Sequence, residues 1–254
     1  MRNPWVYRSP TSGARTRLFC FPYAGGTAAA YRGWQEDLPG EVEVCAVEPP
    51  GRRVRHREPA IRRMPELVDA AVAGLAPLLD RPFALFGHSL GALVAYEVAR
   101  ALPAAGLPTP DALFLSGAAA PHLPRPGRRL SGLPDAEFLA ELRDYGGTPT
   151  ALLADPELIG LFLPTLRADF EVFETYAHQP GHVPACPTHL YGGQRDHRVI
   201  ATQLRAWRAL SPSVAGVRMF PGGHFYLHED RTAVTDAVAG DLAGLASATS
   251  GAVG

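Results

Sequence analysis

The sequence predicts an α/β protein: a mostly parallel central sheet flanked by helices and carrying a helical insertion. Three observations point there. Short runs of β-branched and aromatic residues alternate with longer helical patterns, the signature of crossover connections. One long stretch breaks that alternation and reads as helix on helix. A chain of 254 residues that is 46% hydrophobic and 19% charged fits one undivided domain of this class. We therefore read residues 1–254 as a single domain with an insertion at about 131–176.

The strand candidates, in order, are Arg17 to Phe21, Val42 to Val47, Phe83 to Gly87, Ala112 to Ser116, His189 to Gly192 and Val217 to Phe220. Pro65 to Leu79 reads as a helix, with Pro at its first position and Glu66 and Asp69 in its opening turns. Leu90 to Ala101 is apolar almost all round, which predicts a helix buried beside the sheet. The insertion holds Pro134 to Asp144, closing at Gly146-Gly147, and Pro156 to Tyr176 behind an Asp155 cap. Pro164 should kink or split the second of these. A mobile cap and a plain structural subdomain both fit such an insertion. Asp230 to Ala246 reads as a final helix, and Ser247 to Gly254 as a frayed tail of small residues.

Composition excludes several functions. The 24 basic residues nearly cancel the 25 acidic ones, so no general attraction for nucleic acid or an anionic membrane exists. All the basic residues are Arg, which removes Schiff-base chemistry, a Ser-Lys dyad and a P-loop lysine together. Cys20, Cys45 and Cys186 are widely spaced in apolar surroundings, matching neither a disulfide framework nor a zinc set. Met1 to Thr16 has no apolar stretch of signal-sequence length, and no run is long and apolar enough to span a bilayer. A cytoplasmic location and a monomer are the default expectations.

Gly87-His88-Ser89-Leu90-Gly91 follows an apolar strand and opens the buried helix, the context that a G-x-S-x-G nucleophile elbow requires. A strained turn lifts the Ser89 hydroxyl clear of the sheet, and the helix N-terminus behind it favours an anion forming there. Gly-His-Ser-Leu also resembles the serine attachment site of a phosphopantetheine carrier, but a carrier is a helical bundle and this serine follows a strand. A serine needs a base, and the base an orienting carboxylate, in the order Ser, Asp or Glu, His. His224, in Pro221-Gly222-Gly223-His224-Phe225, and Asp196, in Tyr191-Gly192-Gly193-Gln194-Arg195-Asp196, each lie just past a predicted strand. Their rivals are His228, His197, which could orient Asp196, and His88, which should point away from the serine. An oxyanion hole needs two backbone N–H donors. Leu90 supplies one by position; the Phe21-Pro22-Tyr23-Ala24-Gly25-Gly26 loop should supply the other, from Ala24, with Tyr23 a near rival.

Beyond these residues, the chain closely resembles the type II thioesterases that accompany polyketide and nonribosomal peptide synthases, within the α/β-hydrolase fold. The likeness runs through Phe21 to Gly26, Glu48-Pro49-Pro50-Gly51-Arg52, the elbow, Leu133 to Pro149, Arg167-Ala168-Asp169-Phe170 and Phe220 to Leu227. It implies hydrolysis of acyl groups held as thioesters on the phosphopantetheine arm of an acyl or peptidyl carrier protein, chiefly to clear stalled or wrong units. It calls for no metal or redox cofactor. Arg52, Arg53, Arg55, Arg57, Arg62 and Arg63 could dock the carrier or form a solvated face. A general carboxylesterase, an acyltransferase with the same triad and a non-catalytic carrier-binding module are the alternative readings.

Overall fold

The computed structural model describes residues 3–8, 10–125, 127–147 and 155–251, with side chains through residue 245. Seven strands form one sheet: β1 (Val6–Tyr7), β2 (Thr16–Phe21), β3 (Val42–Val47), β4 (Phe83–His88), β5 (Ala112–Ser116), β6 (Thr188–Gly193) and β7 (Val214–Phe220). Their order is β1-β3-β2-β4-β5-β6-β7. Only β1 runs antiparallel, against β3; every other pairing is parallel. The predicted strands are all present. The two-residue β1 was not anticipated, because so short a segment carries no periodicity.

Alternation along the strands divides the core. Phe19, Phe21, Phe83, Leu85, Leu113 and Leu115 face one side, where α2 (Met64–Leu75) and α3 (Leu90–Ala101) pack. Leu18, Cys20, Ala84, Phe86, Ala112 and Phe114 face the other, against Trp34 of the short α1 (Trp34–Asp37) and Val234 and Val238 of the last helix. Both faces being covered, the strands read as near-continuous apolar runs. The helix expected to reach Leu79 gives way at Leu75 to a tight turn, Ala76–Leu78, because Pro77 has no N–H to continue the ladder.

Between β5 and β6 lie α4 (Asp135–Tyr145) and α5 (Pro156–Thr175), which share a small core of Leu133, Phe138, Leu142, Ile159, Leu166 and Phe170. Asp155 caps α5 as expected, its carboxylate accepting from the Glu157 and Leu158 amides. Pro164 does not split α5, which remains one helix from Pro156 to Thr175. The carbonyl that a proline leaves without its donor belongs here to the exposed Gly160, where water can satisfy it. Short helices follow β6 and β7: α6 (Ala201–Arg205) and α7 (Tyr226–Glu229). The final helix, α8 (Arg231–Gly251), continues through residues expected to fray, and 252–254 lie outside the described residues, as do 148–154 of the insertion. No described helix is long and apolar enough to cross a membrane.

Candidate active site

Ser89 sits between β4 and α3 at φ 55° and ψ −117°, a conformation a non-glycine residue rarely holds. Its neighbours hold it there. A Cβ on Gly87 would stand 2.1 Å from the Gly91 carbonyl oxygen, and one on Gly91 2.1 Å from that of Phe21, so only glycines let helix and strands come this close. The Ser89 amide donates to the Ser116 carbonyl at 2.8 Å, which ties the turn to β5.

Asp196 and His224 lie past the last two strands of the sheet, β6 and β7. Past β6, Asp196 Oδ1 accepts from the amides of Arg198 (2.8 Å) and Val199 (3.1 Å), and Oδ2 accepts from Nδ1 of His224 at 2.7 Å. The two loops touch through glycine again: a Cβ on Gly193 would lie 2.1 Å from the Gly223 carbonyl oxygen. Burial of Asp196 acts to raise its pKa, but the hydrogen bond and charge of His224 and the two amides outweigh it and lower the carboxyl below the usual range. With Nδ1–H committed to Asp196, Nε2 is the free acceptor. That atom is buried and has no hydrogen-bond partner among the described residues, and it is not bonded to Ser89. The His224 ring packs against Tyr145 and Phe225, and both of these line the cleft that holds Ser89.

The rival histidines are engaged otherwise. His228 Nε2 pairs with the Tyr23 hydroxyl at 3.1 Å. His197 is exposed, and the amides of Arg198 and Val199, not its ring, brace Asp196 Oδ1. His88 is fully buried, and its Nδ1 lies 2.8 Å from Ser116 Oγ, which in turn lies 2.5 Å from the Tyr226 hydroxyl. Burial, then the charges of His224 and His228, push its pKa well down, so it is neutral. Its ring is 5.1 Å from that of His224, a floor beneath that imidazole.

Leu90 is the first residue of α3, so its N–H has no acceptor within the helix. Ala24 lines the same cleft as Ser89, with Tyr23, Leu142, Tyr145, Gly146, Phe170 and Phe225. The Ala24 loop is pinned by its neighbours: Gly25 N–H donates to Asp169 Oδ2 at 2.7 Å, and Gly26 N–H to the Tyr23 carbonyl at 2.8 Å. The cleft leaves a volume of about 10 Å³, room for one water. Its outer wall is the end of α4, held by Arg198, whose guanidinium lies 3.6 Å from the centre of the Tyr145 ring and donates to the Asp144 carbonyl at 2.9 Å. That bracket went unread in the sequence.

The basic cluster divides into two internal residues and four exposed ones. Arg52 and Arg55 are buried, paired with Asp169 and Glu58; Arg62 and Arg63 bridge to Glu171, and Arg53 lies 3.6 Å from Glu48. Arg57 alone of the six makes no ion pair among the described residues. Asp169 carried a signal that sequence reasoning passed over. It sits at helical spacing with Leu166, Phe170 and Val172 on the apolar face of α5, and a carboxylate there requires a buried cation. No cluster of potential metal ligands occurs among the described residues.

A family model described as "Thioesterase domain" matches residues 16–243. The chain belongs to the thioesterase family. This thioesterase is 39% identical over 230 residues to the gramicidin S biosynthesis protein GrsT of Aneurinibacillus migulanus, covering 90% of each chain. It is 39% identical over 227 residues to the thioesterase PikA5 of Streptomyces venezuelae, covering 89% of this chain and 80% of PikA5. Among solved structures, it superposes on the type II thioesterase BorB from the borrelidin biosynthetic cluster with a TM-score of 0.83, at 34% identity over 94% of this chain and 96% of that one. The seven-stranded, mostly parallel sheet is thus the α/β-hydrolase fold of these neighbours, and the thioesterase is a hydrolase of thioesters.

Proposed function

We propose that the protein is an editing thioesterase of a polyketide or nonribosomal peptide synthase, hydrolysing acyl groups from the phosphopantetheine arm of a carrier protein. We assign Ser89 as nucleophile, His224 as base, Asp196 as its orienting acid, and the Ala24 and Leu90 amides as oxyanion donors. One observation carries the assignment: a buried imidazole fixed through Nδ1 to a carboxylate, with Nε2 unpartnered, packs on Tyr145 and Phe225, two rings that line the cleft of a serine held in a strained turn. A buried ring nitrogen without a partner costs about 1–3 kcal/mol in the resting protein, and accepting the serine proton during the reaction would give it one.

In the reaction, Ser89 Oγ attacks the thioester carbonyl while Nε2 takes its proton, and the carbonyl oxygen becomes an anion between the two amides. The C–S bond breaks as His224 returns the proton to the pantetheine sulfur, leaving an acyl-serine. A water deprotonated by His224 then attacks the ester, and the carboxylic acid leaves as Ser89 regains its proton. Asp196 stabilises the imidazolium in both halves. A cleft with room for one water admits no acyl group as it stands, so substrate entry displaces a wall. We assign that wall to the end of α4, which is followed by Gly146 and Gly147, both at positive φ. The protein works as a cytoplasmic monomer.

The test compares acyl-carrier and acyl-pantetheine thioesters with matched oxyesters, for the native protein and Ser89→Ala. Thioester turnover that disappears in Ser89→Ala, together with loss of fluorophosphonate labelling, is expected. Turnover retained by that variant sinks the nucleophile assignment, and a preference for oxyesters sinks the substrate class.

A further inference from the structure

The grip on the Ala24 loop comes from outside the hydrolase core. Asp169, on α5 and 3% exposed, accepts from Arg52 through two parallel bonds, Nη2 to Oδ1 at 2.8 Å and Nη1 to Oδ2 at 3.0 Å. The same Oδ2 accepts from the Gly25 amide at 2.7 Å, and the same Nη1 donates to the Gly26 carbonyl at 2.8 Å. One ion pair therefore holds the loop by an N–H on one side and a C=O on the other. Arg52 Nε also leans on the Pro50 carbonyl at 3.4 Å, and Thr165 Oγ of α5 donates to the Gly51 carbonyl at 2.6 Å. A Cβ on Gly25, at φ +73°, would stand 2.2 Å from Leu166 Cδ2, so α5 is packed directly on the loop.

We infer that the Asp169–Arg52 pair positions the Ala24 amide, making the oxyanion hole depend on a helix of the insertion. Both are positioning residues: they act on the reacting oxygen only through the loop. The inference rests on the proposed roles of Ser89 and Ala24. Fixing the Gly25 N–H fixes the plane of the Ala24–Gly25 peptide. The Ala24 N–H lies in the preceding peptide plane, whose Tyr23 carbonyl accepts from the Gly26 N–H at 2.8 Å, and Gly26 is in turn held by Arg52 through its carbonyl, so the Ala24 N–H is constrained from both sides. A donor locked before the reaction needs no reorganisation as charge develops, which is where an oxyanion hole gets its effect. The pair has a second, electrostatic consequence. Asp169 sets a negative charge close to where the oxyanion forms, and Arg52 cancels it. Removing the cation should therefore hurt more than removing the anion.

The experiment measures kcat, KM and inhibition by an acyl trifluoromethyl ketone, which adds to a serine as a hemiketal oxyanion. For Asp169→Asn, kcat should fall about 10- to 100-fold, part of what losing a whole donor costs. KM should stay within threefold, and the inhibition constant should rise by the same factor as kcat falls. Arg52→Gln should lose more than Asp169→Asn, and Arg52→Lys should recover part of it. Glu174→Gln weakens α5 elsewhere, at its bonds to the Leu130 amide and the Ser131 hydroxyl; it should lower Tm while leaving kcat unchanged. If the single variants do not fold, Arg52→Met with Asp169→Leu removes both charges at once and should fold with the same loss. Folded variants in which kcat and ketone affinity stay within twofold of native overturn the inference, as does a kcat loss without the matching change in ketone affinity. Ser89→Ala keeps the two readings apart: if it retains turnover and ketone binding, the parent assignment fails instead.

Discussion

At Ser89 the backbone is fixed by crowding: carbonyl oxygens of Gly91 and Phe21 stand 2.1 Å from where side chains on Gly87 and Gly91 would begin. At Ala24, on the other side of the same cleft, the backbone is fixed by charge: one carboxylate and one guanidinium, from residues 117 apart in sequence, hold the flanking amide and carbonyl. Crowding within the core has no alternative arrangement, since close-packed interiors do not deform continuously. A buried ion pair can be broken by one substitution, leaving an uncompensated charge behind. The proposed nucleophile thus belongs to the fold, whereas the proposed oxyanion loop belongs to a contact between the fold and its insertion.

The sharpest break falls on the core side. Asp196→Asn keeps the shape of the acid but offers His224 Nδ1 a donor in place of an acceptor, and kcat should drop about 10⁴-fold with little change in Tm. Steady-state kinetics beside a thermal melt checks both halves. Crowding itself is tested by Gly91→Ala, whose methyl meets the backbone of Phe21 and Pro22. A loss of about 3 kcal/mol, on the order of 10 °C in Tm, is expected together with loss of turnover. Against these, the 10- to 100-fold kinetic loss in Asp169→Asn should come without a change in KM, and that contrast separates the two kinds of support.

Smaller effects refine the picture. Arg198→Ala removes the cation from the Tyr145 ring and frees the end of α4, at a cost of about 0.5–1 kcal/mol in denaturant melts. A variant as stable as the native protein would show that α4 is held by its apolar contacts alone. A pH effect arises beneath His224. Burial keeps His88 neutral, with its pKa well below the ordinary 6.5, so below about pH 6.5 the unfolded chain binds a proton that the folded one refuses. Stability should be full above that pH and decline as the pH falls toward the folded-state value, with a limiting slope of about 1.4 kcal/mol per pH unit. His178, His189 and His228, also lowered by burial, add their own shares. His88→Gln should flatten the decline; an unchanged slope would locate it in the other three.

Much of this was legible before any coordinates. The strands declared themselves because both sheet faces are covered, which gives unbroken apolar runs. Ser89, Asp196 and His224 stood out because each follows a strand within a glycine-rich turn. What could not be read were partnerships. Arg52 looked like one of six basic residues on an exposed face, because nothing near it in sequence reveals that its partner lies on α5. Asp169 shows no role within Arg167-Ala168-Asp169-Phe170 for the same reason. Pro164 misled in the other direction: the proline rule assumes that the orphaned carbonyl is costly, and exposure at Gly160 removes that cost.

The strain at Ser89 has a consequence for the molecule as a whole. A left-handed residue with a side chain costs about 1–3 kcal/mol, and glycine would relieve it for a smaller entropic penalty of about 0.5–1 kcal/mol. Ser89→Gly, stripped of its hydroxyl, should therefore melt a few degrees above the native enzyme. The proposed site of this thioesterase would then be the least comfortable spot in its own scaffold, and the variant without the hydroxyl the sturdier specimen.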